Sequence, residues 1–343
     1  MSSNDCLKNF CYGIPKAELH LHLEGTLEPD LKLKLAERNG VDIGQKTFEE
    51  VSASYNFNDL PSFLDVYYTG MSVLQKEEDF YELAWAYLLK AKEHGVKHVE
   101  AFFDPQAHTT RGISFETVLN GYYRAISNAG ELGIDASLIM CFLRDMSAES
   151  AEETLEKALP YKDKIIGVGL DSDEKGHPPV KFEKVFKKAK EEGFRLTMHC
   201  DVDQENSIEH IRQVLEEIGV ERIDHGTNIL ENPKLVDYIV QHGIGLTSCP
   251  LSNSLVSDSM KGDKVKELLA RNVKMTINSD DPAYFGGYVA KNLYSVSKEY
   301  GFTKEEIITL AKNSFEISWI SDEQKAQHLK EIDEFASKCE CNK

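Results

Sequence analysis

The segment AELHLH at residues 17–22 alternates apolar and polar side chains and ends in two histidines. This alternation is typical of a β-strand, whose successive side chains point to opposite faces. Seven more short, largely apolar runs follow along the chain: KHVEAFF (97–103), ASLIMCF (136–142), IIGVGL (165–170), FRLTMH (194–199), ERIDH (221–225), IGLTS (244–248) and VKMTINS (273–279). The sequence therefore predicts eight strands.

Longer segments with helical periodicity separate these strands, as at 80–95, 115–133 and 207–219. Parallel strands joined by crossover helices form a sheet covered by helices, and eight such units can close into a barrel. We therefore expect an α/β fold of the (β/α)8 TIM-barrel type in one domain spanning 1–343. A doubly wound open sheet is the alternative. Residues 26–80 predict a helical insertion after strand 1 that caps the barrel mouth, and extra helices should follow strand 8.

The composition and net charge of the chain argue against several classes of partner and location. The net charge of -19 and the pI near 5.1 disfavour nucleic acid and anionic lipid surfaces as partners. The seven cysteines lack framework spacing, and no apolar run approaches the roughly 20 residues of a membrane span. The start, MSSNDCLKNF, has no secretory pattern. We expect a cytoplasmic globular protein, and a homo-oligomer remains open.

Histidines and aspartates stand at the ends of several predicted strands. The two-residue period of a strand places His20 and His22 on one face. His199 ends strand five, His225 ends strand six, and the pair 280–281, both aspartates, follows strand eight. The C-terminal ends of barrel strands converge on one rim, where barrel enzymes place their sites. Histidine nitrogens with a carboxylate suit zinc, so a catalytic zinc site is expected there.

Six segments carry a more specific pattern: IPKAELHLHLEG (14–25), FFDPQAHT (102–109), GVGLDSDEKG (167–176), ERIDHG (221–226), SCPLSN (248–253) and NSDDPAYFGGY (278–288). In these segments the chain resembles the adenosine and adenine deaminases, which are zinc amidohydrolases with a (β/α)8 barrel. HLEGTLEP, FFDPQAHT and DDPAYFGGY look more like adenine deaminases. The resemblance implies hydrolysis of adenine, or of a related 6-aminopurine base, to the 6-oxo base and ammonia, with one Zn²⁺ per chain.

The resemblance also implies roles for single residues. The zinc ligands would be His20, His22, His199 and Asp280. His225 would face the water molecule that attacks the base and would share the handling of its protons with Asp280.

Three further residues would bind the substrate. Asp281 would bond a purine ring nitrogen, and Ser172 lies in the segment that meets the purine edge. Glu24 stands where nucleoside-directed members carry a shorter aspartate near the sugar, and the longer side chain is what base-directed members have. A salt bridge at the rim is the alternative interpretation of Glu24. Residues 57–63, together with Phe102, Asp104 and Gln106, could line the pocket.

The sequence departs from the family at the catalytic acid. Family members carry a glutamate three residues after the third histidine, in His-Ala-Gly-Glu, and Val202 occupies that position here. The acid protonates a ring nitrogen while water adds to C6. Asp203 is the favoured replacement, Asp201 and Glu205 are alternatives, and it is also open that no carboxylate serves the ring.

Because of this departure, two other functions stay open. One is a zinc hydrolase of the same fold that acts on a different heterocycle or a cyclic amide. The other is a non-catalytic purine-binding protein, although such a protein has no need of a complete set of metal ligands.

Overall fold

The centre of the computed structural model is an eight-stranded parallel sheet whose strands follow one another in chain order. The structure describes residues 3–200 and 204–339. The strands are Lys16–Glu18 (β1), Val96–Phe103 (β2), Asp135–Leu143 (β3), Gly167–Asp171 (β4), Arg195–Cys200 (β5), Arg222–His225 (β6), Gly245–Ser248 (β7) and Met275–Ile277 (β8). All eight predicted strands are confirmed.

The first and last strands meet just beyond their C-terminal ends. The backbone N of Asp280 donates to the carbonyl of His20 at 3.1 Å, and the N of His22 donates to the carbonyl of Asp280 at 2.9 Å. The N of Leu19 donates to the side-chain oxygen of Asn278 at 2.8 Å. These bonds nearly close the sheet into a barrel and confirm the predicted (β/α)8 fold. They also explain why β1 is shorter than predicted, since the chain beyond Glu18 bonds to these residues instead of continuing the β-ladder.

Helices surround the sheet. They are Ser3–Gly13 (α1), Pro29–Asn39 (α2), Phe48–Ser54 (α3), Leu60–Gly70 (α4), Glu77–Glu93 (α5), Pro105–Thr109 (α6), Phe115–Ser127 (α7), Ala148–Ala158 (α8), Glu183–Glu191 (α9), Ser207–Arg212 (α10), Pro233–His242 (α11), Pro250–Val256 (α12), Gly262–Ala270 (α13), Val289–Tyr300 (α14), Lys304–Glu316 (α15) and Asp322–Lys338 (α16). A π-helical segment, Gln213–Ile218, continues α10. Helices α2 to α4 form the predicted insertion, and α14 to α16 form the predicted C-terminal addition. Within the described ranges, no helix is long and apolar enough to cross a lipid bilayer.

Alternating strand residues pack in two separate hydrophobic clusters. On β2, Phe103 joins the large cluster shared with the helices, whereas Phe102 joins a small cluster with Ile139 and Cys141 of β3. This is the period of two expected when one face of a closed sheet meets the helices and the other fills the interior. The interior also holds charge, because Arg222 pairs with Glu100 at 2.6 Å and both side chains are fully buried. The barrel is therefore a packed scaffold that supports the side chains at its rim.

Candidate active site

A cavity opens at the C-terminal ends of the strands. The barrel side of its lining includes His22, Asp104, Asp171, Ser172, His199, His225, Asp280 and Asp281. Helix α4 covers the opposite side with Leu60, Phe63, Leu64, Tyr67 and Tyr68. The insertion after β1 therefore caps the mouth, as predicted.

Four side chains that the sequence predicts as metal ligands converge below this cavity. His20 Nε2 and His22 Nε2 lie 3.2 and 3.3 Å from Asp280 Oδ1. His22 Nε2 lies 3.2 Å from His199 Nε2. In a tetrahedral zinc site with ligands about 2.0–2.2 Å from the ion, neighbouring ligand atoms lie roughly 3.3–3.6 Å apart. The measured separations are close to that spacing.

The hydrogen bonds of His20 determine which of its nitrogens carries the proton. Thr247 Oγ1 donates to Asp224 Oδ1 at 2.9 Å, so its oxygen is free to accept from His20 Nδ1, also at 2.9 Å. His20 Nε2 is then the deprotonated nitrogen, and it is buried with no hydrogen-bond partner in the described chain. A buried imidazole lone pair facing other ligands is what a metal ion requires.

In the other two histidines, His199 and His22, Nδ1 likewise faces an oxygen atom. His199 Nδ1 donates to the carbonyl of Leu170 at 3.1 Å, and His22 Nδ1 lies 3.4 Å from Asp171 Oδ2. Burial lowers the pKa of His199 well below its usual value, and the nearby His20 and His22 lower it further. His20, His199, His225 and Asp280 each place one ligand atom within 4.8 Å of the others, and His22 does the same with Asp280 and Asp281, so this cluster could bind a metal ion.

His225 completes the rim of the cluster. Its Nε2 lies 3.7 Å from Asp280 Oδ2, and its ring centroid lies 4.6 Å from that of His20. Both His225 and Asp280 have positive φ angles, 62° in each case, which L-residues rarely adopt. Strained backbone of this kind is concentrated at functional sites, where the rest of the fold holds it in place.

Asp281 lies beside the cluster and depends on a glycine. A Cβ atom at Gly25 would come within 2.0 Å of Asp281 Oδ1, so only glycine leaves room for this carboxyl group. Asp281 is 3% exposed and lines the cavity, and its Oδ1 has no hydrogen-bond partner among the described residues. Burial, together with the charge of Asp280, raises the pKa of Asp281 well above its usual value. A protonated Asp281 can donate a hydrogen bond to a ring nitrogen.

Glu24 is fully buried and is not part of the cavity wall. Its Oε1 accepts a hydrogen bond from His108 Nε2 at 2.8 Å and another from the backbone N of Asp104 at 3.3 Å. It makes a buried pair with His108 rather than a salt bridge at the rim. Asp104, whose backbone N donates to Glu24, lines the cavity, whereas Glu24 does not.

Helix α4 is tied to the barrel by one side-chain bond. Tyr68 OH donates to Ser172 Oγ at 2.8 Å, and Ser172 has a φ angle of 76° directly after β4. Of the aromatic residues suggested for the pocket, Phe63 lines the cavity. Phe57 packs behind it at a centroid distance of 5.2 Å, and Phe102 packs against His22 at 5.0 Å. Gln106 instead bonds Ser150 and the backbone of Leu143.

The candidates for the acid fall mainly on the segment after β5. Asp201 and Asp203 lie outside the described residues, as does Val202. Gln204 lines the cavity, so the chain returns to the site directly after that segment. Glu205 is exposed and is not part of the cavity wall.

Sequence reasoning missed several cavity residues, among them Asp171, Tyr67 and Tyr68. Asp171 directly follows the predicted strand 165–170, and the rule used for the other strand ends would have found it. Tyr67 and Tyr68 lie within a helix, where no local pattern distinguishes cavity residues from core residues.

Comparisons with known proteins agree with this geometry. The adenosine deaminase family profile matches residues 15–335. The chain belongs to the adenosine deaminase family. Membership of this family agrees with the fold, with the converging histidines and with the resemblance of the six sequence segments.

Within the adenosine deaminase family, several relatives are about half identical to this chain. An uncharacterized deaminase of Schizosaccharomyces pombe is 51% identical over 333 residues, covering 96% of this chain and 98% of the relative. The adenine deaminase of Acinetobacter baylyi is 51% identical over 324 residues, covering 94% of this chain and 97% of the relative.

Two solved structures of similar proteins bear on the site. The adenine deaminase from Arthrobacter aurescens superimposes with a TM-score of 0.91 at 44% identity, covering 95% of this chain and 100% of that one. An amidohydrolase from Burkholderia ambifaria, solved with bound zinc, has a TM-score of 0.88 at 25% identity, covering 98% and 95% of the two chains.

Proposed function

We propose that this protein is a zinc-dependent aminohydrolase that converts adenine, or a closely related 6-aminopurine base, to the 6-oxo base and ammonia. The observation that carries the proposal is the convergence of His20, His22, His199 and Asp280 at the cavity. Relatives about half identical over nearly the whole chain are named adenine deaminases, which supports adenine as the substrate.

Zinc fits the four proposed ligands. Imidazole nitrogens and carboxylate oxygens are its usual donors in hydrolytic enzymes, and the ligand atoms of His20, His22, His199 and Asp280 lie 3.2–3.3 Å apart where measured, close enough to share one ion. When bound there, zinc would lower the pKa of water so that it can attack C6 of the base at neutral pH.

The protein side chains would bind the base and move protons. His225 and Asp280 flank the metal cluster, with 3.7 Å between Nε2 and Oδ2, and can take up the proton that the attacking water releases. Asp281 would donate a hydrogen bond to a ring nitrogen, and Ser172 and α4 would enclose the base. Excluding solvent in this way strengthens each polar interaction in the cavity.

The general acid is proposed to come from the segment after β5, with Asp203 favoured and Asp201 as the alternative. Attack at C6 pushes electrons onto a ring nitrogen, and a carboxylic acid must protonate it before ammonia leaves. General acid catalysis typically contributes about 10²–10⁴-fold to the rate. Glu205 is a weaker candidate, because its side chain is exposed away from the cavity.

Neither alternative function is favoured by the relatives. A zinc hydrolase acting on another heterocycle would share the metal cluster, but the adenine deaminases among the relatives give no support for it. A non-catalytic binding protein would not need a cluster of histidines around one carboxylate. The cytoplasmic location and the absence of nucleic-acid and membrane partners remain predictions from the sequence.

The test is adenine turnover by purified protein of known zinc content, measured by ultraviolet absorbance and ammonia release, with adenosine and N6-methyladenine in parallel. Efficient turnover of adenine by the zinc-loaded protein is expected. No turnover at full zinc loading would contradict the proposal and would direct substrate screening to other heterocycles. Asp203→Asn and Asp201→Asn, compared in the same assay, should separate the two acids, because only the acid itself should lower kcat about 10²-fold or more.

A further inference from the structure

Asp104 is a buried carboxyl group inside the cavity to which the reaction above assigns no role. It follows β2 directly, lines the cavity and is 1% exposed. Its Oδ1 has no hydrogen-bond partner in the described part of the chain. A buried polar atom without a partner destabilises the folded protein. A ligand that donates a hydrogen bond there would recover this free energy.

The neighbouring carboxyl group, that of Asp171, lies against His22. Its Oδ2 lies 3.4 Å from His22 Nδ1, so it can orient that histidine toward the cluster. One ligand atom each from His22, Asp104 and Asp171 lie within 4.8 Å of one another. Asp104 is thus adjacent to the metal cluster but faces the space left for a substrate.

The buried side chain of Glu24 holds the backbone of Asp104. Glu24 Oε1 accepts a hydrogen bond from the N of Asp104, and the same oxygen accepts one from His108. Glu24 is fully buried, so it cannot contact a base in the cavity without a rearrangement. Its effect on the substrate would therefore pass through Asp104, which makes Glu24 a positioning residue.

The imidazole edge of a free purine base carries one N–H donor and one nitrogen acceptor. In a nucleoside or a 9-alkyl purine, a carbon substituent replaces the hydrogen at N9. A cavity that recognises the free base therefore needs one donor and one acceptor for this edge. An acceptor oxygen without a partner in the described chain is available on Asp104, which lines the cavity.

We propose that Asp104 accepts a hydrogen bond from the imidazole-ring N–H of a free purine base and so selects bases over 9-substituted purines. The inference rests on the proposed deaminase function and names the residue that determines its substrate class. A 9-substituted purine leaves the Asp104 carboxyl without a donor and brings a carbon group against it. Sites built to hydrogen-bond a substrate group reject analogues without that group far more strongly than apolar pockets reject an added methylene.

The test compares adenine with 9-methyladenine in Asp104→Ala and Asp104→Asn. In Asp104→Ala, kcat/KM for adenine should fall about 5–100-fold, the cost of leaving a buried N–H without an acceptor. The value for 9-methyladenine should stay the same or rise, because the acceptor is gone and space is created. Asp104→Asn keeps an acceptor oxygen and should therefore retain part of the preference for adenine over 9-methyladenine. An equal loss for both substrates, with selectivity unchanged, would overturn the assignment.

Asp145→Ala is the matched control. Asp145 is an exposed carboxylate two residues after β3 on the same rim, and its loss should leave the ratio of the two substrates unchanged. Zinc content and thermal unfolding are measured for every variant. Two zinc ions in the wild type that fall to one in Asp104→Ala would overturn the proposal in favour of a second cation beside His22.

Binding separates this inference from the proposed function. If zinc-loaded wild type turns over neither compound, the deaminase proposal fails, and calorimetric titration with adenine and 9-methyladenine still tests Asp104. Adenine should bind at least tenfold more tightly than 9-methyladenine to the wild type, and Asp104→Ala should remove most of that difference. Equal binding of both compounds by the wild type would contradict the role of Asp104.

Discussion

His22 Nε2 and His199 Nε2 lie 3.2 Å apart, although 177 residues separate them in the sequence. The opposite nitrogen of each ring faces an acceptor, Asp171 for His22 and the carbonyl of Leu170 for His199. Burial alone would lower the pKa of His22, but Asp281, Asp171 and Asp280 raise it well above its usual value, so His22 can donate to His199 when no metal ion is bound. A metal ion between the two rings would replace that proton and bind both nitrogens.

Removing the metal should destabilise the protein. A bound ion stabilises the folded state by about RT ln(1 + [L]/Kd), so its loss removes that free energy. We expect a chelator to lower the midpoint of thermal unfolding and added zinc to restore it. In His199→Ala, zinc content should fall from about one ion per chain toward zero. A chelator shift of the same size in His199→Ala would contradict this prediction.

Thr247→Val should weaken metal binding without removing a ligand. The change deletes the nearer of two acceptors for His20 Nδ1 and keeps the carbonyl of Thr247 at 3.3 Å, so we expect a loss near the lower end of the roughly 10–100-fold that such partners contribute to metal affinity. Competition with a zinc chelator would measure the affinity. Thr154→Val is the control, since the buried Thr154 bonds only the carbonyl of Ser150 within α8. Equal zinc affinities in the two variants would contradict the prediction.

Gly25→Ala should impair catalysis while the metal stays bound. The new methyl group would collide with Asp281 Oδ1 and displace a carboxyl group proposed to bond the purine ring. We expect kcat/KM for adenine to fall about 5–100-fold, because a buried ring nitrogen would lose its hydrogen-bond donor. Gly130→Ala is the control, because a Cβ at Gly130 meets nothing within 4 Å. Unchanged kinetics in Gly25→Ala would show that Asp281 has no such role.

Tyr68→Phe should loosen the contact between α4 and the barrel. It removes the bond to Ser172, which is worth about 0.5–1.5 kcal/mol, so KM for adenine should rise about 2–10-fold. Ser172→Ala should have a similar effect, and the double variant should add little to either single change. Tyr81→Phe, on a ring stacked against Trp85 on α5, should leave KM unchanged. Fully additive effects would argue against the bond.

His98 should make stability depend on pH. Burial alone would lower the pKa of His98, but hydrogen bonds and charges from Asp135 and Glu100 raise it to about 9. This stabilisation is complete below the unfolded pKa of about 6.5 and is lost as pH rises toward 9. The advantage of wild type over His98→Gln in denaturant unfolding should shrink between pH 6 and pH 9, by about 3 kcal/mol at most. A constant difference would contradict this linkage.

Much of the fold could be predicted because its signals are local. Each strand is a short apolar run between amphipathic helices, and the repetition of this unit is itself the barrel pattern. The errors lie at strand ends. β1 is three residues long instead of six, because the chain beyond Glu18 bonds to Asn278 and Asp280, which no local pattern reveals.

The metal cluster was also predictable, whereas the substrate cavity was predictable only in part. His20 and His22 share a face through the two-residue period, and strand ends of a barrel meet at one rim. Glu24 continues the two-residue spacing of His20 and His22, but its side chain bonds His108 instead of lining the cavity. Whether a carboxyl group at the rim points inward depends on partners that lie 80 or more residues away.

By itself, the sequence determined the eight strands, their order and the residues that can act as ligands, since strand and helix periods are properties of neighbouring residues. Only the tertiary structure decided which carboxyl groups keep partners and which face the cavity unpaired. Asp104 and Glu24 are both buried acids, yet one faces the cavity while the other bonds His108. That difference arises from contacts between β2, the segment after β1 and α6, which form only when the barrel closes.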